Sequence, residues 1–399
     1  MEIIISGRKL GTSNNHLSYN GKNFRWTSEI RDGAWLFGFD DSAKDLEIVA
    51  NAIGREISTF DSSPHGRANN IIFGDTGIEI PWMHVMPKGV FHKQLQKLLK
   101  QLWGILTEES DQYYMNQFLF NRELLMTLKP PLIDIPVLRE IIKNSSLKRS
   151  EMLKFMPHSG DLAPRTIYNQ MGSVTGRLTV SDGPNILTLK RDHRKILKSR
   201  FKEGKIIQID ISSLEPRIAL SVAGKESPDD IYEAVGEKVL GGELTRDEVK
   251  VAVLSCMYGA TSWSLSKQLP DDIDADRVLI DIKRYFEISQ LNSKLEAEIM
   301  NRGHIENLYG KPIKGSESLI NHFLQSSGVD VSFNVFSQIL SDLRDSDINF
   351  TPIYVIHDAL VVDIEGRHHS KVKKLTSNGY KVKNLDCIFP VKVEIIREN

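Results

Sequence analysis

Gln208-Ile209-Asp210-Ile211-Ser212-Ser213-Leu214-Glu215-Pro216-Arg217 is the stretch on which the fold turns. Lys205 to Ile209 read as a short strand, apolar at Ile206, Ile207 and Ile209 and rich in the β-branched residues that suit a buried sheet. The strand ends in a carboxylate, Asp210, and the residues after Ser212-Ser213 take on a helical pattern. An acid at the carboxyl end of a core strand sits where a rigid scaffold can hold a metal. A second acid in the same setting is Asp358, at the tip of a strand-acid-strand hairpin formed by Ile353–Ile356 and Leu360–Ile364. The reading that decides the function is that these two acids form one site.

At 399 residues the chain is long enough for two or three domains, and 40% hydrophobic with 26% charged residues is the composition of a globular fold. The net charge of −1 excludes a chain coated in positive charge, but it hides a basic run. Lys190 to Lys205 holds eight Lys/Arg against Asp192 and Glu203. Such a run is either a solvated face or a contact for a phosphate backbone, and the sequence leaves both open. Two cysteines, Cys256 and Cys387, support neither a disulfide framework nor a thiolate zinc site. No apolar run has the length of a membrane span, and the first residues carry no leader pattern, so a cytoplasmic protein without a membrane partner is expected.

Residues 1–85 read as short β segments, Glu2–Ser6, Trp35–Phe39, Asn70–Phe73 and Ile78–Pro81, separated by turns. Asp40-Asp41 and Asp75-Thr76-Gly77-Ile78-Glu79 are the acids nearest to a nuclease pattern; neither puts two carboxylates on one strand face, and turn and cap roles fit them better. From Phe91, Leu95, Leu98, Leu99, Leu102 and Leu106 follow helical spacing with Lys93, Lys97 and Lys100 on the other side. Further helices are expected over Gln112–Leu128, Val137–Lys154 (broken at Ser145-Ser146), Ile231–Leu240, Asp281–Asn301, Ser316–Asp342 and His369–Ser377, with a last strand at Val391–Ile396. Thr245 with Glu248 three residues later is a capping box, which opens a helix. On that helix Arg246, Lys250, Leu254 and Tyr258 recur every four residues and share one side. Alone, this is a surface helix with two solvated charges and a buried Tyr. As a site, it is a triphosphate clamp with flat side chains beside a base.

From Thr175 to the C-terminus the sequence resembles the family A DNA polymerases, the bacterial DNA polymerase I type. Thr175-Gly176-Arg177-Leu178-Thr179 with Pro184-Asn185 is similar to that family's T-G-R-L-S and P-N segment. Asp210 to Arg217 is similar to its motif A, Asp230-Ile231-Tyr232 to the D-I-H that opens the fingers, and Arg246, Lys250, Tyr258-Gly259 to motif B. Asn321 and Gln325 resemble the N-x3-Q of the long palm helix, and His357-Asp358 resembles motif C, H-D-E. The resemblance implies an α+β, right-hand polymerase fold with an antiparallel-sheet palm, helical fingers, a rudimentary thumb and a small α/β N-terminal domain. The implied divisions are 1–125, an N-terminal α/β region that a degenerate exonuclease-like remnant would fit; 126–208, the opening of the palm with a reduced thumb; 209–224, palm; 225–300, fingers; and 301–399, palm. It also implies DNA-directed addition of deoxynucleotides to a primer 3′ end. Asp210, Asp358 and the Ile211 carbonyl would hold two Mg²⁺ ions, with Mn²⁺ as a substitute, and Lys250 would act in catalysis. Arg246, Lys250, Leu254, Tyr258, Glu215 and His357 would bind the nucleotide, Glu215 as the block to a 2′-hydroxyl. Arg177, Asn185, Arg217, Asn321 and Gln325 would contact primer-template DNA.

Several positions depart from the family's pattern. Ile211 and Pro216 replace the usual Tyr and Leu of motif A, Leu254 replaces the aromatic of motif B, and Ala359 replaces the Glu of motif C. Activity is expected, reduced, with sugar selectivity in question at Leu254. Ile133-Asp134 looks like the start of the palm, and the 41 positions from there to Thr175 cannot hold two long thumb helices. The expected enzyme is therefore compact, of low processivity and without proofreading, and the sequence leaves open whether a processivity or replisome partner exists. A phage-like replication or repair setting, in a bacterial or phage-infected cell, follows from compactness alone. The competing readings are a template-relaxed nucleotidyltransferase and a non-catalytic DNA-binding relic of the fold.

Overall fold

The computed structural model describes residues 1–31, 33–39, 45–57, 60, 63–76, 80–144, 149–315 and 318–398. Its backbone forms two compact units, Met1–Glu123 with Gly310–Pro312, and Leu124–Tyr309 with Ile313–Asn399.

The first unit is built on a four-stranded sheet in the order Phe24–Thr27, His16–Tyr19, Ile3–Ile5, Trp35–Phe37. Ile3–Ile5 lies inside it, antiparallel to one neighbour and parallel to the other, and its three isoleucines are fully buried, as a β-branched central strand covered on both faces requires. The helix Lys88–Thr107 buries Phe91, Leu98, Leu99, Leu102, Ile105 and Leu106 and leaves Lys93, Lys97 and Lys100 exposed. Asn70–Phe73 corrects the expectation of a strand. It is the last turn of a helix, Pro64–Phe73, started by Pro64 at its first position and by Ser63, whose hydroxyl accepts from Gly66 N at 3.0 Å. Ile71 and Ile72 are 85% and 66% exposed, so their β-branching reported nothing about a core. The expected strand at Ile78–Pro81 begins outside the described residues, as do Asp40, Asp41, Glu79 and the break at Ser145-Ser146.

The second unit carries the decisive stretch. Its main sheet is wholly antiparallel, in the order Phe350–Ile356, Ala359–Glu365, Gly204–Ile211, Val391–Glu398. Ile206, Ile353, Tyr354 and Val361 of this sheet join one buried cluster with Leu138, Ile141 and Phe155 from the segment after Asp134. That segment holds two short helices, Ile135–Asn144 and Arg149–Leu153, and a strand at Ile167–Asn169. Beside the sheet, the helix Leu214–Val222 packs on the long helix Leu319–Asp345, and the approach is close at Gly328, where a Cβ would stand 3.2 Å from Leu214 Cδ2. The helices Ile231–Lys238, Arg246–Met257, Ser262–Ser266, Ala275–Tyr285 and Ile288–Arg302 follow in sequence. The single helix expected over Asp281–Asn301 is two helices, because Glu287 turns into the left-handed region at φ 51°. No helix among the described residues is long and apolar enough to cross a membrane.

Candidate active site

The strand Gly204–Ile211 buries Ile206, Ile207, Ile209 and Ile211 and leaves Gln208 and Asp210 on one open face. Its end is pinned on both sides: Ile211 N donates to Asp358 O at 3.1 Å, and Ser212 N donates to Pro390 O at 2.9 Å. The chain then reverses through Ser213, at φ 54°, and Leu214 starts a helix. Across the sheet, Ile356 pairs with Ala359 around a two-residue turn, His357-Asp358, with His357 also left-handed at φ 54°. A non-glycine residue held there is strained, and such strain is tolerated where the turn must present a particular side chain. Ala359 lies opposite Asp210 in the register, so Asp358 follows directly beside it. The two acids expected to form one site are thus adjacent at one end of the two central strands.

Both line an open cleft of about 720 Å³, together with Arg177, Glu215, Arg246, Lys250, Leu254, Tyr258, Gln325 and His357. Burial first, then the charge of Asp358 and that of Glu394, pushes the Asp210 carboxyl up to about 7, against Lys250. Burial also raises Asp358, opposed by His357, Arg177 and Lys250. The charge of Asp358 disfavours ionised Asp210, and a cation placed between two such carboxylates would relieve that repulsion. Among the described residues no three or more His, Cys, Asp or Glu side chains form a closed cage. A two-carboxylate, hard-oxygen seat fits Mg²⁺, which keeps waters and shares ligands with substrate phosphates, better than it fits zinc.

Glu215, on the first turn of the Leu214–Val222 helix, is held from both ends. Arg177 Nη2 donates to Oε1 at 2.8 Å, and the Tyr258 hydroxyl donates to Oε2 at 3.0 Å. Burial raises its carboxyl despite Arg177 and Tyr258, and burial with the charge of Glu215 pushes the Tyr258 phenol up to about 12. The Arg246 helix has the full capping box: Thr245 accepts from Glu248 N, and Glu248 Oε2 accepts from Thr245 N at 2.8 Å. From its first turn Arg246 Nε donates to Asp230 Oδ2 at 2.7 Å, and its guanidinium lies 5.4 Å from the Tyr232 ring centre. Lys250 is exposed and Leu254 half-buried on the same side.

Three expected DNA contacts lie elsewhere. Arg217 is 2% exposed and donates to three main-chain carbonyls, Ser212 O at 3.2 Å, Asp229 O at 2.7 Å and Ile388 O at 3.5 Å. A guanidinium consumed in this way is an internal strut, and this corrects its reading as a DNA contact. Asn185 Oδ1 accepts from Leu187 N at 3.1 Å, capping a short 3-10 turn, and lies outside the cleft. Asn321 also lies outside the lining, with its Oδ1 buried and unpartnered, whereas Gln325 one turn later is in it.

The family model for DNA polymerase family A matches residues 91–398. The chain belongs to this family. No curated protein matches it. Among solved structures it is similar to the POL domain of Pol1 from M. smegmatis in complex with DNA primer-template and dNTP, with 16% identity and a TM-score of 0.48; the match covers 88% of this chain and 62% of that one. The chain therefore spans less than two thirds of that structure's length.

In this family A chain the cleft also contains residues that the sequence reading passed over: Gln208, Arg191, Arg194, Lys392 and Glu394. Lys392 lies opposite Asp210 and Glu394 opposite Gln208, so all four share one sheet face. Arg194 Nη1 donates to Gln208 Oε1 at 2.8 Å, and Glu394 pairs with Arg191 and with Lys392. Arg191 and Arg194 belong to the basic run 190–205, the one signal that pointed here. Three more residues of that run pair within the chain, Arg200 with Asp363 and the Pro130 carbonyl, Lys205 with Glu398 and Lys198 with Asp161.

Proposed function

We propose that the chain is a template-directed DNA polymerase that adds deoxynucleotides to a primer 3′ end. The observation that carries this reading is the register that sets Asp210 beside Asp358 at one end of the two central strands, in the same cleft as Arg246, Lys250 and Tyr258. Asp210 and Asp358, with the Ile211 carbonyl, would hold Mg²⁺ or Mn²⁺. Such ions, when bound, ease loss of the primer hydroxyl proton and neutralise the triphosphate. The chain's own residues do the remaining work. Arg246 and Lys250 bind phosphate oxygens, and the Lys250 ammonium hands its proton to the leaving pyrophosphate. Glu215 closes the floor under the sugar, Tyr258 and Leu254 flank the base and sugar, and His357 sits at the turn beside Asp358 where the primer end must arrive. Arg177 and Gln325 contact the duplex.

Residues 301–399 and 209–224 then act as palm and 225–300 as fingers, while the two short helices after Asp134 serve as a reduced thumb. A small thumb gives short products per binding event, which a processivity partner would lengthen. Primer extension tests the reading. Wild type must extend a templated primer with Mg²⁺ or Mn²⁺; extension of blunt ends alone would favour a template-relaxed transferase, and no extension with either metal would remove the enzymatic reading.

A further inference from the structure

Asp230 is more than the cap of the helix after it. Its Oδ1 accepts from Tyr232 N at 2.9 Å and Glu233 N at 3.1 Å, which satisfies the first turn of Ile231–Lys238. Its Oδ2 is left for Arg246, and it takes only Nε, at 2.7 Å. Held by Nε and laid toward the Tyr232 ring, the guanidinium has its Nη groups available to the cleft it lines. Those are the donors that meet a phosphate as a fork. The residue before Asp230 is itself fixed: the Asp229 carbonyl accepts from buried Arg217, whose Nε reaches back to the Ser212 carbonyl, two residues from Asp210. A continuous chain of hydrogen bonds and main chain thus runs from the end of the acid-bearing strand through Arg217 and Asp229-Asp230 to Arg246.

We propose that Arg217 and Asp230 are positioning residues for the triphosphate. Arg217 ties the 229–230 segment to the Asp210 strand, and Asp230 aims Arg246 so that its paired Nη donors face the phosphates. The inference rests on the polymerase reading above. The opposite reading of the same contact, that Asp230 competes with phosphate for Arg246, predicts the opposite sign and is decided by the same experiment.

The test is Asp230→Asn, which keeps a good N-cap side chain and removes the charge. Expected is a rise of about tenfold in KM for dNTP, the scale of one charge-assisted hydrogen bond, with a much smaller change in kcat and no change in DNA Kd or Tm. In an Arg246→Lys background, which has no Nε to hold, Asp230→Asn should add nothing further; a merely structural role would be additive. Arg217→Lys, which cannot fork three carbonyls, should raise KM in the same direction, provided its Tm shows it folded. An unchanged or lowered KM in Asp230→Asn overturns the proposal, as does a full effect in the Arg246→Lys background. Calorimetric titration of dNTP into wild type and Asp230→Asn separates the two levels of inference. If wild type extends no primer yet binds dNTP in an Asp230-dependent way, the polymerase reading falls and the positioning role stands; if wild type binds no dNTP, both fall.

Discussion

If the proposed polymerase reading holds, replacing Glu215 by Ala should open the cleft to ribonucleotides. Its side chain is only 13% exposed and is fixed by one donor on each oxygen, so it cannot swing away from an extra hydroxyl. A wall that rejects one added hydroxyl by contact is worth about 2.7 kcal/mol, so the discrimination ratio in kcat/KM for dNTP over rNTP should fall about a hundredfold. Glu215→Gln keeps the bulk and should retain most of the discrimination. The stability cost should be small, because Arg177 and Tyr258 are 42% and 39% exposed and can turn to water: about 1 kcal/mol or less. The two variants share a spectroscopic marker. Part of what pushes the Tyr258 phenol up to about 12 is the charge of Glu215, so its phenolate should appear at lower pH in Glu215→Gln, though burial, the larger cause, keeps it above the ordinary tyrosine range. Single-nucleotide insertion with matched dNTP and rNTP gives the ratio directly. Wild-type selectivity in Glu215→Ala would refute the wall. Equal losses in Ala and Gln would show that charge, not bulk, discriminates.

Asp210→Asn and Asp358→Asn should each lower primer extension by about 10³ or more while leaving DNA binding equal or tighter, since a negative charge leaves the cleft; an active Asp358→Asn in a primer-extension assay would remove it from the metal seat. At Asp134, burial is outweighed by the Val137 N–H and by Arg397, which pairs with it at 2.5 Å, and the carboxyl is held below its usual range. The unfolded chain then binds the extra proton, so this stabilisation is present above pH about 4 and lost as pH falls through the folded value. Acid unfolding should accordingly be shallower in Asp134→Asn, and an identical pH profile would contradict the pairing. Ile207, fully buried in the strand that carries Asp210, should cost about 2–5 kcal/mol as Ile207→Ala, measured by denaturant unfolding.

The local features of the site were legible because they rest on local physics. Alternating isoleucines leading into Asp210 fix which face of the strand opens, and the Thr245–Glu248 box fixes where the Arg246 helix begins and hence which residues share its stripe. What sequence could not supply is the register of the last strand. Lys392 and Glu394 come to the cleft only through the register of Val391–Glu398 against Gly204–Ile211, and nothing in their own neighbourhood announces it. Arg217 reads as a DNA contact until its three carbonyl partners are in place. The break at Glu287 was equally silent, with no Gly or Pro to mark it. Ile71-Ile72 misled in the other direction, since β-branched residues on an exposed helix face carry propensity without packing.

The register also gives a physical reason for the family departure at Ala359. That residue is 1% exposed and lies directly opposite Asp210. A carboxylate there would be a third negative group against an acid already pushed up to about 7 by burial, by Asp358 and by Glu394. On the other side of the same strand, Glu394 reaches the cleft already balanced by Arg191 and Lys392. The negative charge near Asp210 is thus supplied from the last strand, where two cations compensate it, instead of from the hairpin, where the nearest residue is buried against the sheet. The backbone pairing of Ala359 with Asp210 is what sets Asp358 at the side of Asp210.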